Sequence, residues 1–172
     1  YEAGLKANWG LATANVAVFH QSIKGFQSNI FTGTGFKLAS AGKQSAFGIE
    51  FEGMVKPTSE LTINLAMTYL DPKYDEFKLS GVGDLSGTRP GGISSLTATF
   101  GAQWDHELGN GDHLILRGDF HYEAPFHLVE GLPNLVVKLK DPIGRVIGYD
   151  YRAAIAAATS RKQEVQLANA SI

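Results

Sequence analysis

The segment from Leu61 to Tyr69 reads Leu-Thr-Ile-Asn-Leu-Ala-Met-Thr-Tyr, and its pattern decides the fold class. Large apolar residues occupy every odd position, and polar or small residues occupy every even one. Successive side chains of a β-strand point to opposite faces of a sheet, whereas a helix repeats about every 3.6 residues. The segment therefore predicts a strand with one apolar and one polar face.

The same alternation recurs along the chain and predicts an all-β protein with about seven antiparallel strands. The other strands cover residues 1–9, 13–29, 47–55, 95–105 and 114–123, and a last one begins near Glu164. In the strand over 13–29 two sets of side chains compete for the apolar face, so its facing stays open. These sets are Ala17, Phe19 and Ile23 against Val16 and Val18.

The connections between the strands alternate in length. Residues 10–12, 56–60 and 106–112 are short turns with Gly, Pro or Asn-Gly chemistry, whereas residues 28–44, 71–94 and 124–162 are long, polar and rich in glycine. One end of the sheet therefore has tight turns and the other has long loops. The Ala-rich run between Tyr151 and Thr159 is compatible with a short helix, but the structure of residues 124–162 stays open.

Composition excludes several classes of function. The 172 residues carry 15 Lys+Arg against 17 Asp+Glu, a net charge of -2, and 44% of them are hydrophobic. This content argues against disorder, and the absence of a basic block argues against a nucleic-acid partner. With no cysteine, the chain has no disulfide framework, no zinc ribbon and no thiol nucleophile. Its longest charge-free stretches are too polar for a spanning helix, and its length suggests a single domain.

Strands of about 9 to 11 residues, with turns short at one end and long at the other, are typical of an up-and-down transmembrane β-barrel. The apolar face then contacts the lipid of the membrane. Aromatic residues at its ends belong to the interfacial girdles, and they are Tyr1, Trp9, Tyr69, Trp104 and Tyr122. A soluble antiparallel sandwich or barrel would show the same periodicity, with the apolar face as its core.

Charged residues at strand centres favour the membrane barrel, because they fit a hydrated interior. This predicted lumen-facing wall consists of Glu50, Glu52, Arg117, Asp119, His121 and Glu123. Three of its members, at 119, 121 and 123, are spaced about 7 Å apart on one strand face, a spacing that could hold a metal ion. We expect a hydrated wall there, and neither a metal nor a cofactor.

Sequence motifs of enzymes are missing. Glu50 and Glu52 have no companion acid or nucleophile motif nearby, which argues against glycosidase chemistry. The chain has no nucleophile elbow, and its glycine-rich stretches precede no helix that would bind phosphate. We therefore expect no enzymatic activity.

Several runs resemble the C-terminal half of the barrel in TonB-dependent outer-membrane receptors. Residues 1–6, Tyr-Glu-Ala-Gly-Leu-Lys, resemble a strand that reads YE-G-K in such receptors, and residues 18–27 resemble the strand and loop that follow it. The run 46–52, the Pro57 turn, residues 61–75, the run Leu-Ser-Gly-Thr-Arg-Pro at 85–90, and the hairpin from 100 to 122 continue in the family's order. The resemblance rests on order and spacing over residues 1–126, while 124–162 match the family poorly.

The resemblance implies a barrel of about 22 strands with a plug domain inside it. It also implies energised uptake of a scarce nutrient, such as an iron-siderophore complex, across the bacterial outer membrane, driven by the inner-membrane protein TonB. Residues 1–172 are then one part of a single barrel domain that lacks the plug and the remaining strands. Contact with TonB is expected through an N-terminal part that this chain does not contain.

Recognition usually resides in loops carried by a rigid scaffold, so the long connections supply the candidate ligand contacts. These candidates are Tyr74, Phe77, Arg89, Phe126 and His127. The alternative for each of them is that it only packs the loops together. Two other functions remain open at this point, namely a soluble all-β module for a carbohydrate or protein partner and a small autonomous outer-membrane barrel.

Overall fold

The computed structural model describes residues 1–31, 35–40, 42–79, 83–128, 136–152, 155 and 159–172. Its strands in chain order are β1 (Glu2–Asn8), β2 (Ala12–Lys24), β3 (Gln27–Phe31), β4 (Phe36–Ser40), β5 (Lys43–Val55), β6 (Leu61–Glu76), β7 (Lys78–Leu79), β8 (Gly83–Asp84), β9 (Leu96–Glu107), β10 (His113–Glu123), β11 (Phe126–His127), β12 (Val137–Lys140), β13 (Val146–Asp150), β14 (Arg161–Lys162) and β15 (Val165–Ser171).

Seven of these strands form one antiparallel sheet in the order β1-β2-β5-β6-β9-β10-β15, which we call the wall. Each wall strand pairs with the next wall strand along the chain, so the sheet is an up-and-down meander. This confirms the prediction of an all-β chain with seven antiparallel strands. Within the described part of the chain β1 and β15 are the two edges, and the wall is not closed into a barrel.

The register settles which side chains of β2 lie on the apolar face. Val16 pairs with Leu5 on one side and with Phe51 on the other, so all three lie on the same face. Phe19 pairs with Gly48 on the opposite, polar face. A Cβ atom at Gly48 would lie 2.2 Å from Cζ of Phe19, so the ring occupies the space above this glycine. Val16 and Val18 therefore lie on the apolar face of β2, whose facing the sequence left open.

The aromatic residues of the apolar face separate by type between the two ends of the wall. Trp9 and Trp104 lie beside short turns, and Trp104 pairs with Leu61 at the start of β6. Tyr69 pairs with Leu96 at the opposite end, where the long connections begin. An amphipathic ring favours a position with one side dry and the other wet. The two ends of the apolar face therefore have the composition of two interfacial girdles.

The long connections are more ordered than the sequence suggested. β6 continues to Glu76, so residues 71–76, predicted as loop, are strand. The three connections that remain, residues 25–42, 77–95 and 124–164, contain paired short strands and are called the excursions. β3 pairs with β4, β7 with β8, β12 with β13 and β11 with β14. The prediction failed here because short hairpins in glycine-rich sequence have little periodic signal.

The buried apolar cluster of the described residues lies at the excursion end, outside the middle of the wall. Tyr74, Phe77 and Leu85 have no exposed surface, and Ala39 and Phe26 pack against them. Because Gln44 pairs with Tyr74 and Glu50 pairs with Thr68, Tyr74 shares the polar face of the wall. The second excursion thus folds over the polar face where β6 ends.

The short helix expected between Tyr151 and Thr159 falls partly outside the described residues. Arg152, Ile155 and Thr159 have helical backbone, and the N–H of Ile155 donates to the carbonyl of Tyr151 at 2.8 Å. The part of the chain that the structure describes contains no helix with the length and hydrophobicity of a membrane-spanning segment.

Candidate functional site

The six residues predicted to form the lumen-facing wall all share the polar face. Glu50 pairs with Ala17 and Thr68, and Glu52 pairs with Asn15 and Ala66 in the neighbouring strands. Ala66 pairs in turn with Thr99 of β9. The four residues of β10 continue these rows: Arg117 opposes Gln103, Asp119 opposes Gly101, His121 opposes Thr99 and Glu123 opposes Thr97. The rows are set by the period of two and by a regular register.

On β10, most of the charged side chains already have partners. The guanidinium of Arg117 donates to both carboxylate oxygens of Asp119, at 3.0 and 3.3 Å. Lys162 from β14 donates to Glu123 at 2.7 Å, and His121 Nδ1 lies 3.0 Å from the hydroxyl of Thr99. Within the described part of the chain, no three His, Cys, Asp or Glu side chains cluster closely enough to hold a metal ion. On the polar face, β10 therefore carries two separate ion pairs, Arg117–Asp119 and Glu123–Lys162.

Two of the predicted ligand contacts are buried. Tyr74 and Phe77 have no exposed surface, and their rings meet edge to face with centroids 4.7 Å apart. The ring of Phe26 from the first excursion lies 6.3 Å from that of Tyr74. The segment after Phe77 folds back, with the N–H of Leu85 donating to the carbonyl of Phe77 at 2.8 Å. In this structure both rings fasten two excursions to each other.

Arg89 holds the second excursion onto the end of the wall. Its guanidinium donates to Asp71 Oδ1 at 3.2 Å and to the backbone carbonyl of Leu70. Lys73 lies 2.9 Å from the other carboxylate oxygen of Asp71. The side chain of Arg89 is still 34% exposed, so part of the guanidinium faces solvent.

Phe126 and His127 lie at the base of the third excursion, where β11 pairs with β14. The ammonium of Lys162 lies 5.2 Å from the ring centroid of Phe126, within the range of a cation–π contact. The carbonyl of His127 accepts a hydrogen bond from the N–H of Gly92 at 2.8 Å, and its side chain is exposed. The second and third excursions therefore meet beside these two residues.

The third excursion also contains a tight ion pair that the sequence did not suggest. Arg152 donates from Nε and Nη2 to the carboxylate of Asp150, and its N–H donates to the same group at 3.0 Å. These hydrogen bonds, together with the positive charge, lower the pKa of Asp150 to about 2. Asp150 is therefore ionised at neutral pH.

The short-turn end has a cluster of its own around Glu60. Its carboxylate accepts hydrogen bonds from Trp104 Nε1 and from His106 Nδ1, both at 3.0 Å. The two rings stack with centroids 5.0 Å apart and planes 9° from parallel. These hydrogen bonds, chiefly the one with His106, lower the pKa of Glu60 below its ordinary value. Strand periodicity places Trp104 and His106 on one face of β9. It does not indicate their contact with Glu60, which precedes Trp104 by 44 residues.

The polar face also has a cavity of about 280 Å³ at the excursion end, which the sequence did not indicate. It lies between β2, β5, β6 and the segment that contains Ile93. Its side chains come from four separate parts of the chain. No local pattern could have located it.

An open antiparallel meander with one continuous apolar face, girdle aromatics and a charged opposite face is a piece of transmembrane β-barrel wall. Residues 1–152 match the family described as TonB dependent receptor-like, beta-barrel. The chain belongs to this family, which comprises transport receptors of the outer membrane and is not a family of enzymes.

Solved structures show the same fold. The ferric preacinetobactin receptor BauA from Acinetobacter baumannii superposes with a TM-score of 0.63 at 18% identity, over 98% of this chain and 21% of that one. The FrpB iron transporter from Neisseria meningitidis, F3-3 variant, superposes with a TM-score of 0.57 at 16% identity, over 98% and 23%. The chain thus spans about a fifth of the length of these structures. Among curated proteins there is no match.

Proposed function

We propose that this chain is one part of the barrel domain of an outer-membrane receptor that takes up a scarce nutrient, such as an iron-siderophore complex, in an energised step. The observation that carries the proposal is the wall with its two faces. Leu65, Phe100 and Phe120 form one unbroken apolar row across β6, β9 and β10. Such a row is stable only against hydrocarbon or a protein core, and the membership of the family favours hydrocarbon.

The orientation of the wall follows from its connections. In outer-membrane barrels the short turns lie on the periplasmic side and the long loops lie outside the cell. The turns at 9–11 and 56–60 are therefore periplasmic in this proposal, and the three excursions are external. The polar face, with Glu50 and Glu52, lines the lumen or contacts a plug domain. The partners of the receptor are then lipid, a small nutrient ligand and TonB, the last through a segment outside these residues.

The ligand contacts fall at the excursion end. Arg89 and His127 present exposed polar groups there, and Phe126 lies where the second and third excursions meet. We propose that these three contact the ligand. Tyr74 and Phe77 serve the same site by holding the first two excursions in place. The names of BauA and FrpB motivate the choice of iron as cargo, and no observation favours a soluble binding module over the receptor.

The first test is the location of the native protein. An antibody raised against residues 124–162 is used to blot fractionated cells. We expect a band in the outer-membrane fraction at a mass well above the 18.5 kDa of this chain. A band in the soluble fraction would overturn the proposal.

The second test is uptake. A strain without the receptor is grown under iron limitation on a panel of ferric siderophores, each as the sole iron source, with and without TonB. We expect growth on at least one chelate to require both proteins. Unchanged growth on every chelate would remove iron as the cargo, and a panel of cobalamin and oligosaccharides would then be tried in the same way.

A further inference from the structure

The cavity at the excursion end has an apolar lining and lies on the polar face of the wall. Phe19 and Ile23 of β2, Ala46 of β5 and Leu70 of β6 border it, and Ile93 borders it from the second excursion. A patch of this kind on a face that elsewhere holds glutamates and hydrogen-bonding side chains is unexpected for a hydrated lumen. Its volume of about 280 Å³ is at the lower limit for ligand sites and suits one or two rings rather than a whole chelate.

Gln44 is a buried polar residue on the polar face of the wall. The residue is 8% exposed, and its Oε1 has no hydrogen-bond partner among the described residues. Nine in ten or more buried polar groups in proteins are hydrogen-bonded, and an unsatisfied one costs about 1–3 kcal/mol. Gln44 also lines the cavity, and its terminal torsion is soft enough for the amide to rotate.

We propose that this cavity is a subsite for an apolar, ring-sized group of the ligand that carries an N–H or O–H donor, and that Gln44 accepts the hydrogen bond from this donor. An aromatic amide has this chemistry. The proposal rests on the proposed function, in which the excursion end of the wall is external. It also names what that ligand must contain, independently of its metal.

The site has a structural counterpart on the same face that serves as a control. Gln103 lies on the polar face of β9, opposite Thr62 and Arg117, and is exposed. It is distant from the cavity along the strand. Methionine is unbranched and close to glutamine in size, so Gln44→Met and Gln103→Met remove an amide at each place with little change in packing.

The test uses the whole receptor in detergent micelles and two probes, 4-fluorobenzamide and its N,N-dimethyl derivative, which has no donor. Binding is followed by fluorine NMR. We expect the receptor to bind the first probe about tenfold more tightly, since a satisfied buried acceptor is worth roughly that ratio. Gln44→Met should reduce the preference to about twofold or less, and Gln103→Met should leave it unchanged.

Three results would overturn the subsite: equal affinity for the two probes, the same preference in all three proteins, or no binding. The last result is expected if another part of the receptor already fills the cavity. Failure of the subsite is distinguishable from failure of the proposed function, because nutrient uptake and membrane location are measured separately. A receptor that imports iron but shows no probe preference keeps its function and loses the subsite.

Discussion

In the middle of the wall, Leu65 and Phe100 are paired across neighbouring strands and yet remain 40% and 45% exposed, whereas in the cluster where β6 meets the second excursion Tyr74, Phe77 and Leu85 have no exposed surface. The two regions cover their apolar side chains in different ways. Hydrocarbon can cover the apolar face of the wall, so that face needs no protein partner. The cluster lies where the first two excursions meet, and its large apolar side chains are buried against one another.

Removing an aromatic ring from the buried apolar cluster should have the largest effect. Phe77→Ala should destabilise the packing of the first two excursions by about 3–5 kcal/mol, the usual cost of truncating a buried phenylalanine. The wall should be unaffected. Limited proteolysis of the whole receptor would show new cuts in residues 25–42 and 77–95, with unchanged heat-modifiable migration on gels.

The exposed neighbour Lys78 provides the matched control for that variant. Its side chain is 73% exposed, and it contacts Asp84 only at 3.9 Å. Lys78→Ala should therefore leave the proteolytic pattern as it is. Cuts confined to a single excursion in Phe77→Ala would contradict the idea that the cluster joins the two.

A charge on the apolar face of the wall tests whether that face contacts lipid. Leu65→Arg places a guanidinium midway between the two girdles, where lipid exposure makes it cost about 2–4 kcal/mol. Ala66→Arg, one residue along, points to the polar face and should cost far less. Urea unfolding of the receptor in phospholipid vesicles measures both. Equal destabilisation by the two variants would mean that the apolar face does not meet lipid.

Disturbing the contact between Phe19 and Gly48 in the wall should have a smaller effect. A methyl group at Gly48 would meet the ring of Phe19, so Gly48→Ala should force the ring to move at a cost of about 1–3 kcal/mol. Gly118 is the control, because a Cβ there would meet only the carbonyl of Asn169 at 3.8 Å. The same unfolding experiment should separate the two variants, with Gly118→Ala nearly neutral.

The smallest expected effect is a pH dependence at the short-turn end. The pKa of Glu60 is lowered in the folded protein, so its contacts with His106 and Trp104 contribute stability above the ordinary carboxyl pKa. That contribution is lost as the pH falls through the lowered pKa. Between pH 7 and pH 3, the Tm of wild type should therefore fall slightly more than that of Glu60→Gln. A steeper fall in the variant would contradict this assignment.

Much of the candidate site was predictable because it follows strand periodicity. Glu50, Glu52 and the charged residues of β10 were placed on one face from their spacing, and the register agrees. Phe126 and His127 lie near the start of the third excursion, and their contact with a ligand stays a prediction. The predicted loop over 71–76 was wrong, because the strand rule does not say how far β6 runs past its last clear apolar residue.

The sequence indicates the role of the candidate ligand residues only in part. Tyr74 and Phe77 offer stacking surface in a segment predicted as loop, but their burial depends on Leu85 and on Phe26, which is remote in sequence. Their direct contact with a ligand remains a prediction, and in this structure it would require the cluster to open. Asp71, which accepts from Arg89, also carried no signal of that role.

The strands, their two faces and the alternation of short turns with long connections follow from the sequence alone. These features are local, since each follows from the period of two and from the chemistry of turn residues. Tertiary contacts set the facing of β2, the burial of Tyr74 and Phe77, and the cavity beside Gln44. Each of these depends on which residues distant in the chain become neighbours, and that is set by register and packing rather than by any local pattern.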